Sequence, residues 1–281
     1  MRLEVVHRTR YRYAAPVRDS FNELRLRPMS GTAQDCESFL LRVVPPVRLR
    51  HYTDLHGNHV SFFDLIEPHR SLEIESRSRV RTACAEPAAT AAFPLSRVKE
   101  CARMESCHEF LQESRYVDLA PESWRLALDA TAGEDDLWAA ALKLMRVVHG
   151  ELAYQPGSTT VQTRAGEALQ ARRGVCQDFA HVMIALCRVI GIPALYVSGY
   201  LYNGPRELLR GAQASHAWCE VYVPGDGWRG LDPTNDQPAG DRYVKVAVGR
   251  DYADVAPVQG RYRGTAEQEL DVEVSVERLE G

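Results

Sequence analysis

The sequence predicts an α+β protein in which an antiparallel β-sandwich precedes a half that runs helices first and antiparallel strands second. Three observations carry this. Apolar residues alternate with polar ones over the first part of the chain, spacings of three and four replace that alternation from Val98, and strand patterns return after Gly191-Ile192-Pro193.

From Leu3 to Tyr13, the residues Leu3, Val5, Tyr11 and Tyr13 share one parity while Glu4, Arg8, Arg10 and Arg12 take the other, the period of a half-buried strand. Leu72 to Thr82 is clearer, with Leu72, Ile74 and Val80 opposed to Glu73, Glu75, Arg77, Arg79 and Arg81. Phe39 to Val44 and Val60 to Phe63 supply further strands between turn signals such as His56-Gly57-Asn58. The stretch Ala85 to Pro94 is rich in Ala, Pro and Thr and shows neither period. A boundary there divides the chain into a sandwich domain at 1–88 and a second domain at 89–281.

Helical spacing then covers Val98 to Glu113, Glu122 to Ala130, Asp136 to Val148 and Ala165 to Arg172, and Glu134-Asp135-Asp136 places acid where a helix dipole favours it. The run Cys176 to Ile190 is a further helix, stopped by Gly191-Ile192-Pro193. Strands follow at Ala194 to Tyr202, His216 to Val223, Trp228 to Asp232 and Tyr243 to Val248. Leu270, Val272, Val274 and Val276 mark a last one.

Composition narrows the function classes. A formal charge of −4 arises from mixed acids and bases with no basic block, so neither nucleic acid nor an anionic membrane is an expected partner. Met1 to Tyr13 lacks the apolar stretch of a signal peptide, and no run approaches the roughly 18 apolar residues of a membrane span, so a cytoplasmic location is expected. Seven cysteines, an odd number without framework spacing, read as free thiols.

One of those thiols stands apart. On a helical wheel Cys176, Phe179, Ala180, Met183, Cys187 and Ile190 form one stripe, with Gln177, His181 and Arg188 as the polar edge of a largely buried helix. Arg173-Gly174-Val175 forces a turn into its start, so Cys176 sits at the N-terminus, where unpaired N–H groups and the dipole lower a thiol from its usual pKa of about 8.5. The other cysteines lack that placement and read as small packing residues.

In the strand beginning at His216, His216, Trp218, Glu220 and Tyr222 share a face, and Pro224-Gly225-Asp226-Gly227 turns the chain into a hairpin. If Val223 pairs near Gly227, Asp232 falls opposite Trp218 and diagonal to His216, at a Cβ separation of roughly 7 Å. Either residue alone is ordinary, a packed histidine or the Asp of a turn. Together with Cys176 they supply a nucleophile, a base and a group that fixes the imidazole tautomer.

Gly174-Val175-Cys176-Gln177-Asp178-Phe179-Ala180, Gly191-Ile192-Pro193-Ala194, His216-Ala217-Trp218 and Gly227-Trp228-Arg229-Gly230-Leu231-Asp232-Pro233-Thr234-Asn235 together resemble bacterial transglutaminase-like proteins. The resemblance extends through Gly249-Arg250-Asp251-Tyr252 and back to Asn22-Glu23-Leu24-Arg25-Leu26. It implies a papain-like transglutaminase core behind a small β-sandwich, with Cys176 as nucleophile, His216 as base, Asp232 as its orienter and no cofactor. The oxyanion would be met by the Cys176 N–H and a second donor, for which Tyr154 and Gln170 are both candidates. Gln177, Asp178, Trp218 and Trp228 are neighbours of the site. Asp178 is either a clamp on the loop before Cys176 or ordinary helix-start charge, and the two tryptophans either wall an acyl channel or simply pack.

The expected chemistry is acyl transfer from an amide or peptide bond of a peptide, a protein or another amide-containing substrate, with hydrolysis preferred. Amine transfer and a non-catalytic peptide-binding module are the alternatives. A zinc site is disfavoured, because Cys101, Cys107 and His108 lack paired spacing and Cys176 with His181 would need two further ligands.

Overall fold

The computed structural model describes residues 1–83, 92–204, 215–264 and 267–279. The boundary expected at residue 88, and Cys84, lie outside the described residues. The alternation that begins at Leu3 does not stop at Tyr13, and Arg2–Leu24 forms one strand of 23 residues (β1). Further strands are Gln34–Val44 (β2), Arg50–Thr53 (β3), His59–Leu65 (β4) and His69–Thr82 (β5).

A register shift between Arg12 and Val17 lets β1 leave one layer for another: its first half pairs with β5, its second with β4. A strand that changes sheets at an irregularity is how two layers share a corner. Val43, Leu72 and Ile74 from one layer meet Leu24, Phe63 and Leu65 from the other, and this core makes the expected sandwich.

The segment read as a helix from Val98 to Glu113 is instead a 3₁₀ stretch at Leu95–Arg103, one α turn at Glu105–His108 (α1) and a 3₁₀ turn at Glu109–Leu111. Its buried residues are Val98, Cys101, Cys107 and Phe110, all spaced by multiples of three. That is the 3₁₀ period, and Met104 at φ −87°, ψ 125° breaks the run. Pro121–Thr131 (α2) and Leu137–Glu151 (α3) are regular, the latter capped by Asp136 Oδ1 accepting from the Ala139 N–H at 2.8 Å.

Ala153–Tyr154 (β6), Ala165–Ala171 (α4) and Arg173–Gly174 (β7) lead into Cys176–Val189 (α5), with β6 and β7 paired in parallel. Every residue of α5 from Gln177 to Arg188 is buried, including the expected polar edge. Arg188 tolerates this because its guanidinium donates to the carbonyls of Gln112, Ala194 and Arg250.

Helix α5 packs on a sheet of Ala194–Leu201 (β8), His216–Val223 (β9), Gly227–Asp232 (β10), Gln237–Pro238 (β11) and Tyr243–Gly249 (β12), ordered β11-β10-β9-β8-β12. Strand β12 meets the sandwich through two side-chain amides. Gln34 bonds both the N–H and the carbonyl of Lys245, and Asn58 does the same at Val248, all at 2.8 Å. Amides that mimic a neighbouring strand are a way to close a sheet edge.

After one turn at Tyr252–Val255 (α6), the chain returns to the sandwich as Val258–Arg263 (β13) and Gln268–Arg278 (β14), both antiparallel to β1. The last strand therefore does not belong with the sheet of the second half, where a division at residue 88 would put it. Val274 and Val276 pack with Leu3, Val5, Tyr200 and Val244, while Asp271 and Glu273 meet Arg10 on the opposite face. Alternation shows that a segment is a strand, but does not name its partner.

Candidate active site

Cys176 is the first residue of α5 and is partly exposed. The approach to it is rigid. Tyr154 pairs with Gly174 across β6 and β7, and the Gln155 N–H donates to the Gly174 carbonyl at 2.9 Å. Gly174 is required there because a Cβ would lie 2.6 Å from both Cβ and Oδ2 of Asp178. Asp178 Oδ2 accepts from the Val175 N–H and from Thr159 Oγ1, each at 2.7 Å, so Asp178 does clamp the residue preceding the thiol. Burial pushes the Asp178 carboxyl upward, against these two donors.

The β9–β10 hairpin pairs Gly227 with Val223 and Leu231 with Cys219, so the next ladder position sets Asp232 against Trp218, as the turn spacing predicts. His216 Nε2 lies 2.8 Å from Asp232 Oδ2, and both side chains are fully buried. Burial alone would lower the imidazole. The charge and hydrogen bond of Asp232, followed by the Cys176 sulfur, outweigh it, so His216 is raised above the ordinary histidine value. The Asp232 carboxyl is lowered: burial opposes ionisation, but His216, Asn235 and Tyr243 favour it. Among the described residues His216 Nδ1 is buried without a hydrogen-bond partner, which leaves it as the nitrogen available to Cys176.

The remaining candidates separate. Trp218 is buried, its ring centroid 6.2 Å from that of His216, whereas Trp228 lies four ladder positions from Asp232 and packs edge-on to Phe110 and Tyr222. Trp228 thus packs at the hairpin's far end, in the cluster that also holds Trp218. Gln177 donates to the Val161 carbonyl at 3.1 Å. Tyr154 is half-buried beside the strand that leads into Cys176, while Gln170 is exposed on α4.

Two side-chain partners of the carboxylate, and a third residue bonded to one of them, lie outside the candidates named from the sequence. Asn235 Nδ2 and Tyr243 Oη each donate to Asp232 Oδ2 at 2.8 Å, and Gln237 Nε2 donates to Tyr243 Oη at 2.7 Å. The Asp232-Pro233-Thr234-Asn235 turn was a signal for Asn235, since an Asp side chain commonly accepts from backbone N–H groups two and three residues on. Those of Thr234 and Asn235 do donate to Oδ1. Tyr243 carried no such signal. Among the described residues no group of three or more His, Cys, Asp or Glu side chains is placed to hold a metal, and no helix is long and apolar enough to cross a membrane.

A buried helix with a thiol at its start, packed on an antiparallel sheet that supplies a histidine and an aspartate, defines a transglutaminase-like fold. Comparison with known proteins agrees. Residues 3–81 match the bacterial transglutaminase-like N-terminal region and residues 125–233 match the transglutaminase-like superfamily. An uncharacterized protein of Mycobacterium leprae is 38% identical over 99% of both chains. A protein-glutamine gamma-glutamyltransferase of Pseudomonas aeruginosa is 33% identical over 44% of this chain and 20% of its own length. A solved structure from Cytophaga hutchinsonii, a candidate cysteine protease, superposes with a TM-score of 0.78 at 24% identity, covering 100% of this chain and 92% of that one. The chain belongs to the transglutaminase-like superfamily, in the form that carries the bacterial N-terminal region.

Proposed function

We propose that the protein is a thiol enzyme that cleaves an amide or peptide bond through Cys176, His216 and Asp232. The observation that supports this most is the fully buried His216–Asp232 pair at 2.8 Å, with the other imidazole nitrogen lacking a hydrogen-bond partner among the described residues and a thiol at a helix N-terminus beside it. The Cys176 thiolate attacks the carbonyl carbon, the imidazolium gives its proton to the departing amine, and a thioester remains on sulfur. Water then attacks the thioester with His216 taking its proton, and the carboxylic acid leaves as the thiolate is restored. Asp232 holds the Nε2–H throughout. The Cys176 N–H and Tyr154 are our candidates for the oxyanion donors; the exposed Gln170 is the weaker choice.

The test is limiting iodoacetamide between about pH 5 and pH 9, with the modified cysteines mapped by mass spectrometry beside a His216→Ala variant. Selective labelling of Cys176 below neutrality, lost without His216, supports the reading. Labelling no faster than the other cysteines overturns it in favour of a peptide-binding module. Amine transfer is the second reading, favoured by the similarity to the Pseudomonas aeruginosa glutamyltransferase. Incorporation of an added primary amine into a glutamine peptide, against formation of the free acid, separates it from hydrolysis.

A further inference from the structure

Asp232 is held by more than its histidine. Oδ1 accepts the Thr234 and Asn235 N–H groups, while Oδ2 accepts from His216 Nε2, Asn235 Nδ2 and Tyr243 Oη. Four of these five donors belong to the β9–β10 hairpin and the turn that follows β10. The fifth comes from β12, which β8 and β9 separate from β10.

Tyr243 reaches across two strands beside Trp218, whose ring and the Val244 carbonyl occupy the space that Gly199 on β8 leaves. A Cβ at Gly199 would lie 2.1 Å from the Val244 carbonyl oxygen and 2.7 Å from Trp218 Cη2. The Tyr243 ring then packs edge-on to Trp218, 5.2 Å between centroids. Gln237 Nε2 donates to the phenol oxygen, which turns the Tyr243 proton toward Asp232. The strand that carries Tyr243 is itself fixed, since Lys245, two residues on, is bonded by Gln34 at both backbone groups and by the Met29 N–H at its carbonyl.

We propose that Tyr243 is a positioning residue of the site, holding Asp232 Oδ2 toward His216 from a strand anchored on the N-terminal sandwich. This rests on the reading of Cys176, His216 and Asp232 as a catalytic unit. A carboxylate that loses one of its fixed donors turns more freely, stabilises the imidazolium less, and leaves less thiolate on Cys176. The titratable groups around Asp232 are His216 and Cys219 from β9, Tyr243 from β12 and, beyond His216, Cys176 from α5. His149 of α3 bonds the adjoining Pro233 carbonyl.

The experiment follows iodoacetamide labelling of Cys176 against pH in the natural protein and in Asp232→Asn, Tyr243→Phe and Gln237→Leu. Asp232→Asn should abolish the labelling at low pH. Tyr243→Phe should move the acid limb upward by roughly 0.5–1 pH unit, and Gln237→Leu should move it the same way by less. Gln237 is half-buried on a two-residue strand, so its variant keeps the test alive should Tyr243→Phe fail to fold. If both profiles superimpose on that of the natural protein while Asp232→Asn shifts, Tyr243 does not position the carboxylate. If Asp232→Asn superimposes as well, the catalytic reading fails and the role of Tyr243 falls with it.

Discussion

Two histidines of the second half share burial but little else. His216 on β9 and His181 on α5 are 1% and 0% exposed, and each has an Nδ1 without a hydrogen-bond partner among the described residues. His181 lies between the rings of Tyr116 and Tyr196, 5.7 and 5.0 Å away, and its Nε2 accepts the Tyr252 N–H at 3.2 Å. An acceptor nitrogen means a neutral ring, and burial lowers this histidine to about 4. His216 experiences the same burial but touches a carboxylate. A buried imidazole stays neutral or gains a proton according to whether a carboxylate hydrogen-bonds to it, and the Asp251 charge that acts on His181 does not outweigh burial.

The sharpest way to break the contrast is to make His216 resemble His181. Asp232→Asn removes the charge and keeps the shape, so His216 should titrate below its ordinary value. Turnover should then fall by about 10³- to 10⁴-fold, read by peptide hydrolysis, with the ring followed by NMR. The residual rate would measure what the helix start supplies without an activated base.

The same comparison predicts opposite pH dependences of stability. His181 binds its proton less readily folded than unfolded, so its contribution is complete above the unfolded value of about 6.5 and is lost as pH falls toward 4, by up to roughly 3 kcal/mol. His216 has its value raised, so its contribution is complete below about 6.5 and declines as pH rises toward the raised value. Urea denaturation at pH 7 and pH 5 should show a loss on acidification that His181→Gln reduces. His7, also lowered to about 4 by burial, and His59, lowered chiefly by burial, add to that slope, while His216 opposes it.

A smaller effect isolates the Cys176 side of the site. Gly174→Ala drives a methyl into Asp178 and should destabilise the fold by about 1–3 kcal/mol, while slowing Cys176 alkylation as the Val175 clamp shifts. Thermal unfolding and mass spectrometry read the two parts separately.

What the sequence made legible follows the range of each interaction. Cys176 at a helix start and the His216–Asp232 register both depend on local spacing and a hairpin turn, and the hydrogen bond at 2.8 Å agrees with them. The length of β1, the 3₁₀ turns after Leu95 and the return of β14 to β1 were not legible in the same way. The return of β14 depends on which distant segment covers a surface, which periodicity does not encode, while a spacing of three after Leu95 is shared by the 3₁₀ and α periods. Tyr243 is the clearest case, because a donor two strands away reads in the sequence only as an apolar residue at the start of a strand.

The gentlest perturbation tests whether the sandwich steadies that distant donor. Gln34→Ala removes two hydrogen bonds to Lys245 without touching the site and should lower stability by about 1–2 kcal/mol. Asn58→Ala removes the equivalent pair at Val248, farther along β12 from Tyr243. If the anchor matters locally, Gln34→Ala should weaken low-pH alkylation of Cys176 more than Asn58→Ala does, at similar loss of stability by urea denaturation. Equal effects on alkylation would mean that the sandwich stabilises β12 as a whole without tuning the position of Tyr243.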